Sequence, residues 1–176
     1  MTYLTWYQSP LGKILLAADE QGLTGLWFEN QKYFADTLGE DTTEIDTAKT
    51  GISSLQDAKR WLDIYFAGKE PDFTPAIHMK TTEFRRAVWE ILLKIPYGQT
   101  TTYGEIAKLL AKQKGLSSMS AQAVGGAVGH NSISLIIPCH RVVGADGSLT
   151  GYAGGIDRKI KLLQLEKTGE IEGGAE

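Results

Sequence analysis

The chain has 176 residues, 42% of them apolar and 22% charged, with a formal net charge of −3. That is the composition of an ordinary globular protein of one large or two small domains. No run of 18 apolar residues occurs, which excludes a membrane-spanning helix. The start, "MTYLTWYQSP", lacks a basic stretch followed by an apolar one, so no signal peptide is expected. A single cysteine cannot form an internal disulfide. With three scattered histidines it makes a poor metal site, so neither metal nor cofactor is expected. A free thiol suits a cytoplasmic location. Charge is unevenly spread: residues 1–80 carry 7 Lys/Arg against 12 Asp/Glu, and residues 81–169 carry 11 against 6. A basic second half suits an anionic partner, although chance also gives such swings.

In chain order, "YLTWY", "KILLAA" and "LTGLWF" are short, rich in aromatic and branched residues, and separated by the turns "SPLG" and "DEQG". They predict an antiparallel three-strand meander. Residues 31–50 are polar and acidic, and a loop with a short helix is expected there. "SSLQDAKRWLDIYFAG" predicts a helix. Ser53 and Gln56 fit a capping box, Leu55, Ala58, Leu62 and Tyr65 share one face, and Gly68 fits the stop. "GKEPDFTPAIHMK", with two prolines, reads as a linker. The expected division is an N-terminal α/β domain over 1–74 and a C-terminal domain over 75–176.

The second half is expected to be mostly helical. "TEFRRAVWEILLKI" places Phe84, Val88, Ile91, Leu92 and Ile95 at helical spacing, and "PYGQ" ends it. "TTYGEIAKLLAKQKG" follows, with Thr102 and Glu105 as a capping box. "MSAQAVGGAVGHN" then offers Ser120 as an N-cap. Two short helices joined by a polar turn make a helix-turn-helix candidate. "RVVGADGSLTGY" reads as a hairpin about an Asp-Gly turn, completing a winged-helix outline. "GIDRKIKLLQLEK" closes the chain as a helix with Ile156, Ile160 and Leu163 on one face. The fold class expected is α+β. The "AVGGAVG" helix has poor propensity, each glycine costing about 1 kcal/mol against alanine. Its lack of bulk permits close approach, either to a core helix or to a DNA groove.

The only thiol stands in "IIPCHRVVG". Pro138 before Cys139 stiffens the approach. His140 can take the thiol proton, directly or through a water, and Arg141 adds positive charge that favours a thiolate. Adjacent side chains of an extended segment point apart, so cooperation needs a turn, which Pro138 makes plausible. The alternative is an inert buried cysteine. A cysteine protease would place its histidine far away in sequence, and only His78 and His130 are available.

"IPCHRVV", with "AVGGAVGHN" upstream and "GYAGG" downstream, closely resembles the O6-alkylguanine-DNA alkyltransferases. So do "SPLG", "YFAG", "FRRAVWEILLKIPYGQTTTYGEIA" and the closing "LLQLE". The resemblance implies direct, single-use transfer of an alkyl group from guanine O6 in double-stranded DNA to Cys139, with no cofactor, by a monomer. It implies that His140 takes the thiol proton through a water and that Glu166 orients and charges His140. Asn131 would brace the turns of the site. Tyr103 would meet the phosphate of the flipped nucleotide and donate to the leaving guanine. Tyr152 would line the base pocket, and the carbonyls of Cys139 and Val142 would accept from the guanine amino group. The helix around Gln122, Ala123, Gly125 and Gly126 would enter the minor groove, and Arg141 would lie at the DNA.

Two positions depart from the family pattern. Gln122 stands where an arginine usually fills the hole left by the flipped base, and lacks its charge and reach. Ala153 stands where a serine hydroxyl often holds the guanine, leaving the backbone N–H as donor. The competing readings are a non-catalytic damage-binding protein, whose relatives lack the cysteine, a transcription regulator switched by alkylation, and a cysteine hydrolase.

Overall fold

The structure is a computed structural model and describes residues 1–46, 51–149 and 151–171. The meander forms as β1 (Thr2–Ser9), β2 (Gly12–Asp19) and β3 (Gly22–Phe28), all antiparallel neighbours. Side chains close both turns. The Ser9 hydroxyl donates to the Gly12 carbonyl at 2.6 Å, and Asp19 Oδ1 accepts from the N–H groups of Gln21 and Gly22. A short β4 (Thr42–Glu44) joins the far side of β1 in parallel, giving the order β3-β2-β1-β4. Residues 32–37 are turns where a short helix was expected, and residues 47–50 of that segment lie outside the described residues.

Helix α1 (Ser53–Phe66) lays Leu55, Ala58, Trp61, Leu62 and Tyr65 on the sheet, the face that the periodicity predicts. Its capping box does not form. The helix begins at Ser53 itself, so Ile52 takes the cap position and no side chain caps the end. Gly68, at φ 84°, ends the segment as expected, its N–H donating to the Tyr65 carbonyl.

All seven residues of β3 are buried, although it is an edge strand. Two later segments cover its open side, which removes unpaired backbone groups. Leu23 exchanges hydrogen bonds with Ala76 and His78 of the linker, and Leu26 exchanges them with Ser132 and Ser134. Gly22 makes the first contact possible, since a Cβ there would stand 2.6 Å from the Ala76 carbonyl oxygen. The second contact matters for function: the sheet holds the chain five residues before the cysteine.

The second half contains α2 (Glu83–Leu92), β5 (Thr101–Thr102), α3 (Tyr103–Lys114), α4 (Ala121–Gly129), a 3-10 turn (Cys139–Arg141), β6 (Val142–Val143) and α5 (Ile156–Thr168). Thr102 and Ser120 cap α3 and α4, accepting from Glu105 N and Ala123 N at 3.1 Å. Trp89 of α2 donates its indole N–H to the Ala127 carbonyl of α4 at 2.9 Å.

Two expectations fail here. The Asp146-Gly147 turn forms, but residues 144–149 carry no strand, and Thr150 lies outside the described residues. Instead of a hairpin, β6 pairs in parallel with β5, so the second half of the wing is absent among the described residues. In α5 the buried face is Lys159, Leu162, Leu165 and Glu166, while Ile156 and Ile160 are exposed. A count of apolar residues selects the wrong face because half of the buried face is charged.

Candidate active site

Cys139 sits at the end of two tight turns. The Ile136 N–H donates to Ser134 O and the Cys139 N–H to Ile137 O, both at 2.8 Å, so Leu135 and Pro138 each occupy the centre of a three-residue turn. Pro138, at φ −82° and ψ 65°, has the common inverse γ-turn geometry, which its ring favours. Leu135, at φ +70°, adopts a backbone region that L-residues avoid, at a cost of roughly 1–2 kcal/mol. Its fully buried side chain supplies the offsetting term. Asn131, 3% exposed, spans the turns: its amide donates to Ile137 O at 2.7 Å and its carbonyl accepts from Ile133 N at 3.0 Å. The tethers of Ser132 and Ser134 to Leu26 hold the same segment from the other side.

The 3-10 turn separates the side chains of Cys139, His140 and Arg141. His140 is fully buried and its Nε2 meets Glu166 Oε2 at 2.5 Å. A carboxylate needs a donor there, so the neutral ring carries its proton on Nε2 and keeps a lone pair on Nδ1. Nδ1 is buried and has no hydrogen-bond partner among the described residues. It is the atom available to take a proton.

Glu166 is a saturated acceptor. Besides His140 it receives Arg141 Nε at 2.8 Å, an Arg141 terminal nitrogen at 3.2 Å, the Gly98 N–H at 3.0 Å and the Tyr65 hydroxyl at 2.7 Å. Burial would raise its pKa, but the hydrogen bonds donated by His140 and Arg141, with the fixed charge of Arg141, outweigh burial and hold it at about 2. Burial lowers the pKa of His140, and Glu166 only partly opposes this. A neutral imidazole is therefore the resting state.

Arg141 corrects the sequence reading. Expected at the DNA and beside the thiol, it is 7% exposed, paired with Glu166 and bonded to Ile95 O at 2.8 Å. A guanidinium buried so deeply is held by the carboxylate it neutralises, and is not on offer to a phosphate. The cation that acts on Cys139 is Lys159 of α5, 0% exposed and donating to Val142 O at 2.6 Å. Even so, burial pushes the thiol up to about 11, with Asn131 and Lys159 only partly opposing it. Cys139 is therefore a thiol at neutral pH, not a standing thiolate.

A cleft of about 410 Å³ opens over Cys139. Tyr103, Tyr152 and Ala153 line it, with Gly125 and Gly126 of α4. Val142 does not line it, and its carbonyl already accepts from Lys159, which leaves one lone pair for any guanine amino group. Gln122, Ala123 and Gly126 are exposed together on α4. A Cβ on Gly126 would meet nothing within 4 Å, and one on Gly125 only the Tyr103 ring at 3.8 Å. Core packing therefore does not demand either glycine, which removes the core-packing explanation for the glycine pair.

Four residues escape the sequence reading. Lys159 and Tyr65 are too far from Cys139 along the chain to be linked to it locally. Lys32 and Tyr33, from the loop after β3, also line the cleft. Tyr33 stacks on His130 at 4.1 Å, and the Lys32 N–H donates to Ala153 O at 2.8 Å. The charge and aromatic content of "NQKYF" is the only signal that could have marked that loop.

Both halves of the chain match known protein families. Residues 2–78 match the family profile "6-O-methylguanine DNA methyltransferase, ribonuclease-like domain", and residues 83–168 match "6-O-methylguanine DNA methyltransferase, DNA binding domain". The chain is 43% identical over 165 residues to the methylated-DNA–protein-cysteine methyltransferase of Methanosarcina acetivorans, covering 93% of this chain and 97% of that protein. It is 37% identical over 175 residues to the protein of that name from Haemophilus influenzae, covering 99% and 91%. Among solved structures, Mycobacterium tuberculosis OGT in complex with DNA superposes with a TM-score of 0.80 at 40% identity, covering 94% of this chain and 93% of that one. With a lone cysteine at the floor of a cleft, a buried His–Glu pair behind it and both halves matched, this chain belongs to the 6-O-methylguanine DNA methyltransferase family.

Proposed function

We infer that this protein repairs O6-alkylguanine in duplex DNA by moving the alkyl group onto its own Cys139. The observation that carries the reading is the pairing of a buried thiol at the cleft floor with a neutral histidine whose other nitrogen is anchored on a carboxylate. As Cys139 attacks, its proton passes to His140 Nδ1, directly or through a water, and Glu166 stabilises the imidazolium. The S–C bond forms in line as the C–O6 bond breaks. The electron pair stays on guanine, which takes a proton from the Tyr103 hydroxyl; the phenolate regains a proton from water and His140 releases the thiol proton to solvent. Asn131 keeps the turn rigid, and Tyr152 and Ala153 wall the base.

The product is a thioether that neither water nor imidazole cleaves, so each molecule acts once. The target base must leave the stack, at a cost of a few kcal/mol. The bare flank of α4 suits close approach to the groove floor, with Gln122 beside the gap. A free nucleophilic thiol suits the reducing cytoplasm; among the described residues no helix is long and apolar enough to cross a membrane. The chain divides at 74/75, within the proline-containing segment, into an N-terminal α/β domain and a C-terminal domain that carries the transfer site.

Intact-protein mass spectrometry after incubation with duplex DNA carrying O6-methylguanine tests this. One methyl group is expected per protein, mapped to Cys139, with product reaching a plateau at one equivalent. Loss of the lesion with no change in protein mass would refute transfer. So would continued turnover.

A further inference from the structure

The N-terminal half reaches the reacting groups through one side chain. Tyr65, near the end of α1, is fully buried. Its ring stacks on Trp61 at 5.1 Å between centroids with planes 9° apart. Its hydroxyl passes beyond the packing and donates to Glu166 Oε2 at 2.7 Å, across 101 residues of sequence. That oxygen is the one His140 uses, and the Tyr65 hydroxyl lies 3.4 Å from His140 Nε2. Such a contact is not needed for cohesion. A phenylalanine would fill the same space, and burying a hydroxyl that lacked a partner would cost about 1–3 kcal/mol.

We propose that Tyr65 is a positioning residue of the transfer site, its hydroxyl sharing Glu166 Oε2 with His140 and so setting how strongly the carboxylate holds the imidazole. This rests on the function proposed above. Oε2 also receives an Arg141 terminal N–H at 3.2 Å, and an acceptor oxygen shared among several donors gives less to each. With the hydroxyl present, Glu166 holds the Nε2 proton and orients His140 without favouring a second proton on the ring, and Nδ1 stays free to receive the thiol proton. Burial and the Glu166 charge both keep Tyr65 protonated, so it remains a donor. The other titratable or charged groups around the ring are Glu166 and Lys159 of α5, Arg141 and Cys139 of the 3-10 turn, and Tyr152 of the loop before α5. Tyr97 packs against Tyr65 and lies under Arg141. Only Tyr65 brings a donor to this carboxylate from the N-terminal half among the described residues.

The test compares full-length wild type, Tyr65→Phe and Trp61→Phe. The His140 imidazole is titrated by NMR, and methyl transfer from O6-methylguanine duplex is timed across pH by protein mass. Tyr65→Phe is expected to move the His140 midpoint, and with it the rising limb of the rate profile, upward by roughly half a pH unit. Trp61→Phe loosens the packing but keeps the hydroxyl. It is expected to lower Tm and leave the midpoint unmoved. Superimposable titrations of wild type and Tyr65→Phe would overturn the proposal, as would an equal shift in Trp61→Phe. A rate lowered by one factor at every pH with no change of profile would reduce Tyr65 to a packing residue. Absence of methyl transfer by wild type would instead remove the underlying function, a result visible in the mass alone.

Discussion

Glu166 concentrates the chemistry of the site in one side chain. Its carboxylate binds two cationic or polar side chains from the 3-10 turn, a backbone N–H and a tyrosine hydroxyl, with no exposure of its own. The cost of burying that charge is met only while all the donors are in place. Its pKa of about 2 lies below the ordinary value of 4.5, so on acidification the unfolded chain binds the proton first. The contribution of Glu166 to stability is therefore full above about pH 4.5 and is lost as pH drops toward 2, by on the order of 3 kcal/mol. His140 acts in the same direction from a higher pH. Its folded pKa is lowered, so the unfolded chain begins to take that proton near pH 6.5. Glu166→Gln should lower Tm at neutral pH, since it leaves Arg141 buried without its anion. Its urea-unfolding free energy should then change less between pH 4.5 and 2 than that of wild type. Parallel pH profiles for the two proteins would contradict this account of Glu166.

Helix α4 shows an element shaped against its own stability. Three glycines in nine residues cost about 1 kcal/mol each against alanine. Burial of Val124 and Val128, about 1.5–3 kcal/mol apiece, and the Trp89–Ala127 hydrogen bond offset that. Because nothing lies within 4 Å of a Cβ at Gly126, Gly126→Ala should raise stability by about 0.5–1 kcal/mol. The same methyl group would protrude beside the cleft on the exposed flank with Gln122 and Ala123. Affinity for alkylated duplex should fall several-fold while Tm rises. A variant that gains stability and binds DNA as well as wild type would remove α4 from the interface. The sequence alone exposes the low propensity of this helix, and its cap at Ser120 is legible. Which neighbour requires the glycines is not, because that depends on what stands opposite each missing Cβ.

For the whole molecule, the charge count overstates the basic surface. The second half carries an excess of five positive charges to residue 169, yet Arg141 and Lys159 are buried. Arg158 is tied to Leu11 O and Gly154 O and stacks on Phe28, and Arg86 donates to Met79 O. Lys108, Lys112 and Lys114 remain exposed along α3, with Lys94 and Lys167 exposed elsewhere. With phosphate contacts made by the three lysines of α3, the helix that precedes α4, DNA affinity should fall roughly 40-fold between about 50 and 200 mM salt, well short of the thousandfold expected of a heavily basic protein. Binding titrations at several salt concentrations check this. A slope corresponding to eight or more contacts would mean that the engaged arginines are released on binding.

Much of the architecture is written locally. Turn residues, the periodicity of α1 and α2, the caps at Thr102 and Ser120 and the Pro-Cys-His order each depend on neighbours within about four residues, and the structure keeps them. What only the tertiary structure decided are contacts between distant residues. The Tyr65–Glu166 bond spans 101 positions and the Arg141–Glu166 pair 25. The buried face of α5 follows the same rule. Lys159 and Glu166 read as solvent-facing in any count of apolar residues, and the backbone carbonyl that meets Lys159 and the His140 and Arg141 donors that meet Glu166 inside the fold make their burial possible. So too for Cys139: its neighbours in sequence suggest an activated thiolate, whereas the depth at which the fold sets it keeps the proton on the sulfur at neutral pH.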